Sequence, residues 1–105
     1  DVNRQQICGP TKDILDLGNL KTKFKAFSWN VIEISEGNNI ETVLNGLKIA
    51  KSMTSQDKPI CVLLNTEMGY GVDYMMGSHK WHGIAPNDEQ LELALSQLNE
   101  TLGDY

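Results

Sequence analysis

The chain has 105 residues and a net charge of −5, enough for one small domain. The acidic balance argues against a general nucleic-acid binder, whose phosphate contacts need a basic face. No apolar run is long enough to span a membrane, and no secretory leader is visible.

Hydrophobic (AVILMFWYC) residues make up 40% of the chain, so a core is possible. Cys8 and Cys61 form neither a CxxC pair nor a Cys/His zinc spacing. Two free thiols in a reducing, cytoplasmic compartment are expected. The chain opens on Asp1-Val2-Asn3 and ends on Gly103-Asp104-Tyr105. It reads as a piece of something longer, or as one subunit of a split protein.

Leu17, Leu20, Phe24 and Phe27 recur at helical spacing, with Asp16 expected to cap that helix. Trp29 to Ile34 reads as a short strand rich in β-branched residues. Glu36-Gly37-Asn38-Asn39 reads as a turn. Ile40, Val43, Leu44, Leu47 and Ala50 mark an amphipathic helix with Asn39 as N-cap. Ile60-Cys61-Val62-Leu63-Leu64 is a continuous apolar run, expected as a strand buried on both faces. A glycine-rich stretch follows, EMGYGVDYMMGSHKWHG, which holds both histidines. Pro86-Asn87-Asp88 then opens a last helix with a stripe of Leu91, Ala94, Leu95, Leu98 and Leu102.

This order predicts an α/β fold: a parallel sheet with flanking helices. In such sheets ligands sit beyond the carboxyl ends of the strands. Three segments leave those ends: Asp1 to Pro10, Ser35 to Asn39, and Thr66 to Pro86.

Two of them carry chemistry. In Asp1-Val2-Asn3-Arg4-Gln5, the Asn3 amide oxygen and the Gln5 backbone carbonyl can face a hard cation such as Mg²⁺; the same residues can equally form a plain turn. Gly69-Tyr70-Gly71 permits either a close approach to a ligand or a tight turn. It lacks the third glycine of a dinucleotide fingerprint, and no phosphate loop of the GxxxxGK[ST] type is present. His79 and His82 can act as acid, base or donor near neutral pH, or can simply pack. Two histidines are too few for a catalytic zinc site.

Taken together, four stretches resemble the transketolase family. DVNRQQICGPTKDI is similar to its D-x-N-x-x-x-x-x-G-P-T segment, and LKTKFKAFSWNVIEI to K-[FW]-x-A-F-G-W-x-V. KPICVLLNTEMGYGV is similar to [KR]-P-x-x-[IV]-x-x-T-x-x-G-x-G, and WHGIAPNDEQ to W-H-G-x-x-P. They fall in the family's order and cover nearly the whole chain.

The resemblance implies that residues 1–105 are the later part of a thiamine-diphosphate-binding domain, a single partial domain. The upstream half and the pyrimidine-binding domain lie outside it. It implies thiamine diphosphate and Mg²⁺ (or Ca²⁺) as cofactors. Asn3 and the carbonyl of Gln5 correspond to metal ligands, and Met68 to the apolar residue that packs on the cofactor before Gly69. His82 corresponds to the histidine that assists the substrate, and His79 to a second histidine found in part of the family. The implied reaction moves a two-carbon ketol unit from a ketose phosphate to an aldose phosphate, with the cofactor as electron sink. The piece alone is expected to be inactive. Because it would leave a sheet edge and the cofactor face uncovered, it is expected to pair with itself as a homo-oligomer, or with the missing remainder or a partner subunit.

The sequence departs from the family pattern at several points. Ser28 stands where Gly is usual. Ser35 to Asn39 replaces a D-G-H-D turn with one residue more. Met68 and Tyr70 replace other residues. These leave two alternatives open: a related thiamine enzyme such as deoxyxylulose-phosphate synthase, and a non-catalytic interaction module on the same fold.

Overall fold

The computed structural model of the chain describes residues 1–99. It opens with a small antiparallel hairpin, β1 (Gln5–Gln6) and β2 (Gly9–Pro10), then one turn of helix, α1 (Thr11–Ile14). The sequence pattern predicts neither. Helix α2 (Leu20–Ala26), strand β3 (Asn30–Ile34), helix α3 (Ile40–Ser52) and strand β4 (Ile60–Leu64) follow. A long loop carries a single 3₁₀ turn, His79–His82, and leads to helix α4 (Asp88–Gln97).

β3 and β4 pair in parallel, with Asn30 opposite Ile60 and Ile34 opposite Leu64. Val2 joins the other side of β4 as a lone parallel bridge to Asn65. Side chains alternate across a strand. Ile34 therefore faces α3, where its Cδ1 lies against Gly46 so closely that a Cβ there would overlap it. Glu33 faces the opposite side, where its carboxylate meets the Lys21 ammonium of α2 at 3.2 Å. Helices thus cover both faces of a parallel sheet, as the chain order predicts.

Burial is thinner than expected. Of β4, only Leu63 is buried; its neighbours are half-exposed. A cavity of about 840 Å³ runs beneath α2 and the hairpin, along the face that bears Glu33, Leu63 and Asn65.

Two boundaries differ from the sequence reading. α2 starts at Leu20, capped by Asn19, whose Oδ1 accepts from the Thr22 amide at 2.8 Å. Asp16 instead closes a local turn by accepting from the Gly18 amide at 2.8 Å. A side chain this short bonds only the amides two or three residues on, and Asn19 is the one at that distance from the first helical turn. α4 ends at Gln97, so Leu98 follows the helix, and Leu102 lies outside the described residues. Asn39 caps α3 as expected, accepting from the amides of Glu41 and Thr42.

The end of α2 explains one departure from the family pattern. Ser28 has a φ of +66°. Its amide donates to Lys25 and the Trp29 amide donates to Phe24, the two bonds of a Schellman cap. The accompanying apolar contact is present, with the Phe24 and Trp29 rings 5.4 Å apart. A left-handed residue at that position is most often glycine, because a Cβ there costs about 1–2 kcal/mol. Ser28→Gly gives back part of this in the unfolded chain. It is expected to stabilise the protein by about 0.5–1 kcal/mol in urea unfolding. Unchanged or lowered stability would show that the serine is not strained.

Candidate functional site

The loop after β4 is a built structure. Gly69 has a φ of +74°, and a Cβ there would lie 2.6 Å from the Met75 carbonyl oxygen. Glycine is needed for the close approach of the chain to itself. The Val72 amide donates to Gly69, and the Met75 and Met76 amides both donate to Val72. The Gly77 amide then donates to the Met68 carbonyl at 3.2 Å, closing the loop on itself.

Gly77 also joins the two ends of the site. Its carbonyl accepts from Gln5 Nε2 at 3.2 Å. One residue therefore links the hairpin segment that bears Asn3 and Gln5 to the loop that bears Met68 and Gly69. The 3₁₀ turn that begins two residues later packs on β1. In a 3₁₀ turn, side chains three apart eclipse, so His79 and His82 leave it on one side. His79 is half-buried and His82 is exposed. Trp81 anchors the turn by donating from Nε1 to the Tyr74 carbonyl at 3.0 Å, its ring edge-on to Tyr74.

α4 holds this loop from behind. The Tyr74 hydroxyl donates to the Gln90 carbonyl at 2.7 Å, and Gln97 exchanges two hydrogen bonds with Asp73. A capping box between Asn87 and Gln90 fixes the start of the helix.

Asn3 is clamped. Its Oδ1 accepts from the Gln5 amide at 2.9 Å, and its Nδ2 donates to Asp1 Oδ2 at 3.1 Å. The Arg4 carbonyl is taken by the amide and hydroxyl of Thr11. Among the described residues, Gln5 Oε1 is buried and has no hydrogen-bond partner.

Asn3 and Gln5 line the large cavity; Met68, Gly69, His79 and His82 do not. A second cavity of about 420 Å³ lies where the three segments meet beyond the strand ends, between Arg4, Ser35 to Asn39, Asn65 to Glu67 and Tyr70; Met68 and Gly69 do not line it. Sequence reasoning does not single out Arg4, Asn38 or Thr66 for this region. Asn38 carries a signal only as a turn residue, yet its Oδ1 accepts from the Glu67 amide at 2.7 Å and so joins two of the loops.

The family profile described as "Transketolase, thiamine diphosphate binding domain" matches residues 1–102. The chain belongs to this transketolase family. It is 37% identical over 100 residues to an apulose-4-phosphate transketolase subunit of Actinobacillus succinogenes, which takes in 95% of this chain and 35% of the relative. To the protein of the same name from Phocaeicola vulgatus it is 32% identical over 102 residues, covering 97% of this chain and 35% of that one. A crystal structure of a Pichia stipitis transketolase variant superimposes with a TM-score of 0.65 at 28% identity, over 75% of this chain and 11% of the other. The chain thus spans about a third of the length of these curated relatives, and it carries a partial transketolase N-terminal fold.

Two expectations follow from this geometry. Gly69→Ala places a methyl against Met75 and forces a left-handed alanine. It should open the loop, so hydrogen exchange at the Met75 and Gly77 amides rises while β3 and β4 stay protected. Equal protection in both proteins would show that the glycine is dispensable.

The second concerns acid. The Glu33 carboxyl is held below its ordinary value of 4.5, chiefly by a hydrogen bond from Lys21, then by the Asn65 side chain and the charge of Lys21. A carboxyl lowered by folding stabilises the fold above its unfolded value and loses that contribution as pH falls through the folded value. Lys21→Met should therefore be slightly less stable than the parent at neutral pH and converge with it in strong acid. The pair is solvent-exposed, so the difference is small. Urea midpoints across pH read it, and a gap that widened on acidification would refute it.

Proposed function

We propose that this chain supplies one wall of the thiamine diphosphate and metal site of a transketolase-type enzyme. The complete enzyme moves a two-carbon ketol unit from a ketose phosphate to an aldose phosphate. The observation that carries this reading is the pair of hydrogen bonds at Gly77, which draws the Asn3–Gln5 segment and the Met68–Gly69 loop into one unit.

The donor chemistry fits a hard cation. Asn3 offers an amide oxygen whose second lone pair is not used by the Gln5 amide, and Gln5 offers a backbone carbonyl. Mg²⁺ and Ca²⁺ prefer such oxygens. Among the described residues no three His, Cys, Asp or Glu side chains converge, so softer metals have no nest here. Asn3 and Gln5 would hold the cation against the cofactor's diphosphate. Met68 would give apolar contact to the ring, with Gly69 allowing the backbone near it. His82, exposed on its turn, would hold or pass a proton at a substrate oxygen, with His79 beside it. Bound thiamine diphosphate supplies the electron sink for carbon–carbon cleavage.

The wall needs its other half. The chain exposes 8041 Å² of surface, where a compact protein of its mass exposes about 5,900 Å². Much of it is apolar. Ile40, Leu44 and Leu47 form an exposed stripe on α3, and Leu91, Leu95 and Leu98 another along α4 and its end. Such surface fits the remainder of the enzyme, a partner subunit or a second copy, and relatives that are themselves named as transketolase subunits support a split enzyme. This chain alone would be inactive. Cys8 and Cys61 are free thiols, in keeping with a reducing, cytoplasmic setting. Among the described residues no helix is long and apolar enough to cross a membrane.

The test is calorimetric titration of thiamine diphosphate with Mg²⁺ into the full-length protein assembled with its partner. Asn3→Ala is expected to weaken binding at least about tenfold. His82→Ala is expected to leave binding nearly unchanged and to lower turnover by about 10²–10⁴. No binding by the complete assembly would overturn the enzyme reading in favour of an interaction module.

A further inference from the structure

Asp1 and Thr66 each belong to a family-like motif and have no role in the reading above. The structure joins them. The Thr66 hydroxyl donates to Asp1 Oδ1, across 65 residues of chain. The other carboxylate oxygen, Oδ2, accepts from Asn3 Nδ2 at 3.1 Å. Both oxygens of Asp1 are thus committed within this chain.

The consequence falls on Asn3. An asparagine amide can turn over, exchanging its oxygen and its NH₂ group. Here both sides forbid the exchange. A carboxylate can only accept, so the NH₂ group must face Asp1. The Gln5 backbone N–H can only donate, so the oxygen must face Gln5. Turning the amide over would set oxygen against carboxylate and NH₂ against N–H. Val2, between them, is tied into the ladder by its amide to the Leu64 carbonyl at 2.7 Å. The backbone that carries the clamp is therefore fixed to the sheet.

We propose that Asp1, anchored by Thr66, is a positioning residue that holds the Asn3 oxygen in the sense a cation requires. Asp1 is not itself a ligand. The inference rests on the metal-site reading and adds to it the element that presets its geometry. Partners of this kind, outside the ligand set, typically govern metal affinity by about 10–100-fold.

The experiment uses the full-length protein assembled with its partner. Mg²⁺ is titrated at fixed thiamine diphosphate by calorimetry, and Mn²⁺ binding is followed by electron paramagnetic resonance. The variants are Asp1→Ala, Asp1→Asn, Thr66→Val and, as reference, Asn3→Ala. Asp1→Ala is expected to weaken the apparent metal affinity about 10–100-fold. Raising Mg²⁺ in proportion should restore cofactor binding, which damage to the fold would not allow. Thr66→Val keeps the charge of Asp1 but frees its carboxylate, and should weaken metal binding in the same direction by less.

Three results overturn the proposal while the metal-site reading stands. One is Asp1→Ala within twofold of the parent while Asn3→Ala loses the metal. Another is a loss in Asp1→Ala that excess Mg²⁺ does not restore and that lowers metal-free melting. The third is Asp1→Asn as damaging as Asp1→Ala with Thr66→Val silent, which would make charge, not orientation, the cause. Failure of the unaltered protein to bind Mg²⁺ with the cofactor would instead remove the reading itself, and this inference with it.

Discussion

Gly77 gives its N–H to the Met68 carbonyl and takes the Gln5 side-chain amide on its own carbonyl. A residue has one backbone donor and one backbone acceptor, and here each is spent on a different part of the site. Without the first bond, the loop between Glu67 and Ser78 has no closure. Without the second, no hydrogen bond joins Gln5 of the hairpin to the far side of the loop. The left-handed backbone at Gly69, Gly71 and Gly77 follows from that closure, because a loop this tight must reverse direction within a few residues.

Closure alone would not fix the orientation of the loop. α4 does so through Tyr74 and Asp73, and Val72 of the loop and Ala94 of α4 are both buried. The consequence reaches the histidines. Trp81 is held by Tyr74, which is held by α4, so the turn bearing His79 and His82 inherits the position of a helix that contributes no site residue itself. Packing at a distance of several residues thereby sets where the two imidazoles lie.

The regular elements are legible in the sequence because each is a local statement. β4 is an unbroken apolar run with one possible strand reading, and α3 has both its stripe and its Asn39 cap within a few residues. The misreadings have a common physical source. Asp16 and Asn19 are both cap-forming residues, and choosing between them depends on where the first helical turn falls, which Gly18 and the loop decide. The degree of burial of β4 is not legible at all, since it depends on what covers the sheet. Gly77 ties the Asn3–Gln5 segment to the Met68–Gly69 loop, yet no periodicity marks a Gln5-to-Gly77 or Asp1-to-Thr66 bond. Polar contacts over such separations leave no trace in composition.

Counting ligands shows how much of a site such a piece can be. Mg²⁺ demands near-octahedral oxygen coordination. On the proposed reading, Asn3 and Gln5 would fill two positions. Asp1 is committed to Asn3 and Thr66, and the Arg4 carbonyl to Thr11. The remaining positions would then need a carboxylate from elsewhere in the assembly, the cofactor's diphosphate, or water. Two neutral oxygens alone have little hold on a strongly hydrated cation. On that reading affinity would reside in the assembly, and this chain would contribute geometry. That division would account for the two hydrogen bonds that hold Asn3: a ligand that gains nothing from its own charge must be held in the right sense before a cation arrives, because every degree of freedom it keeps would be lost on binding.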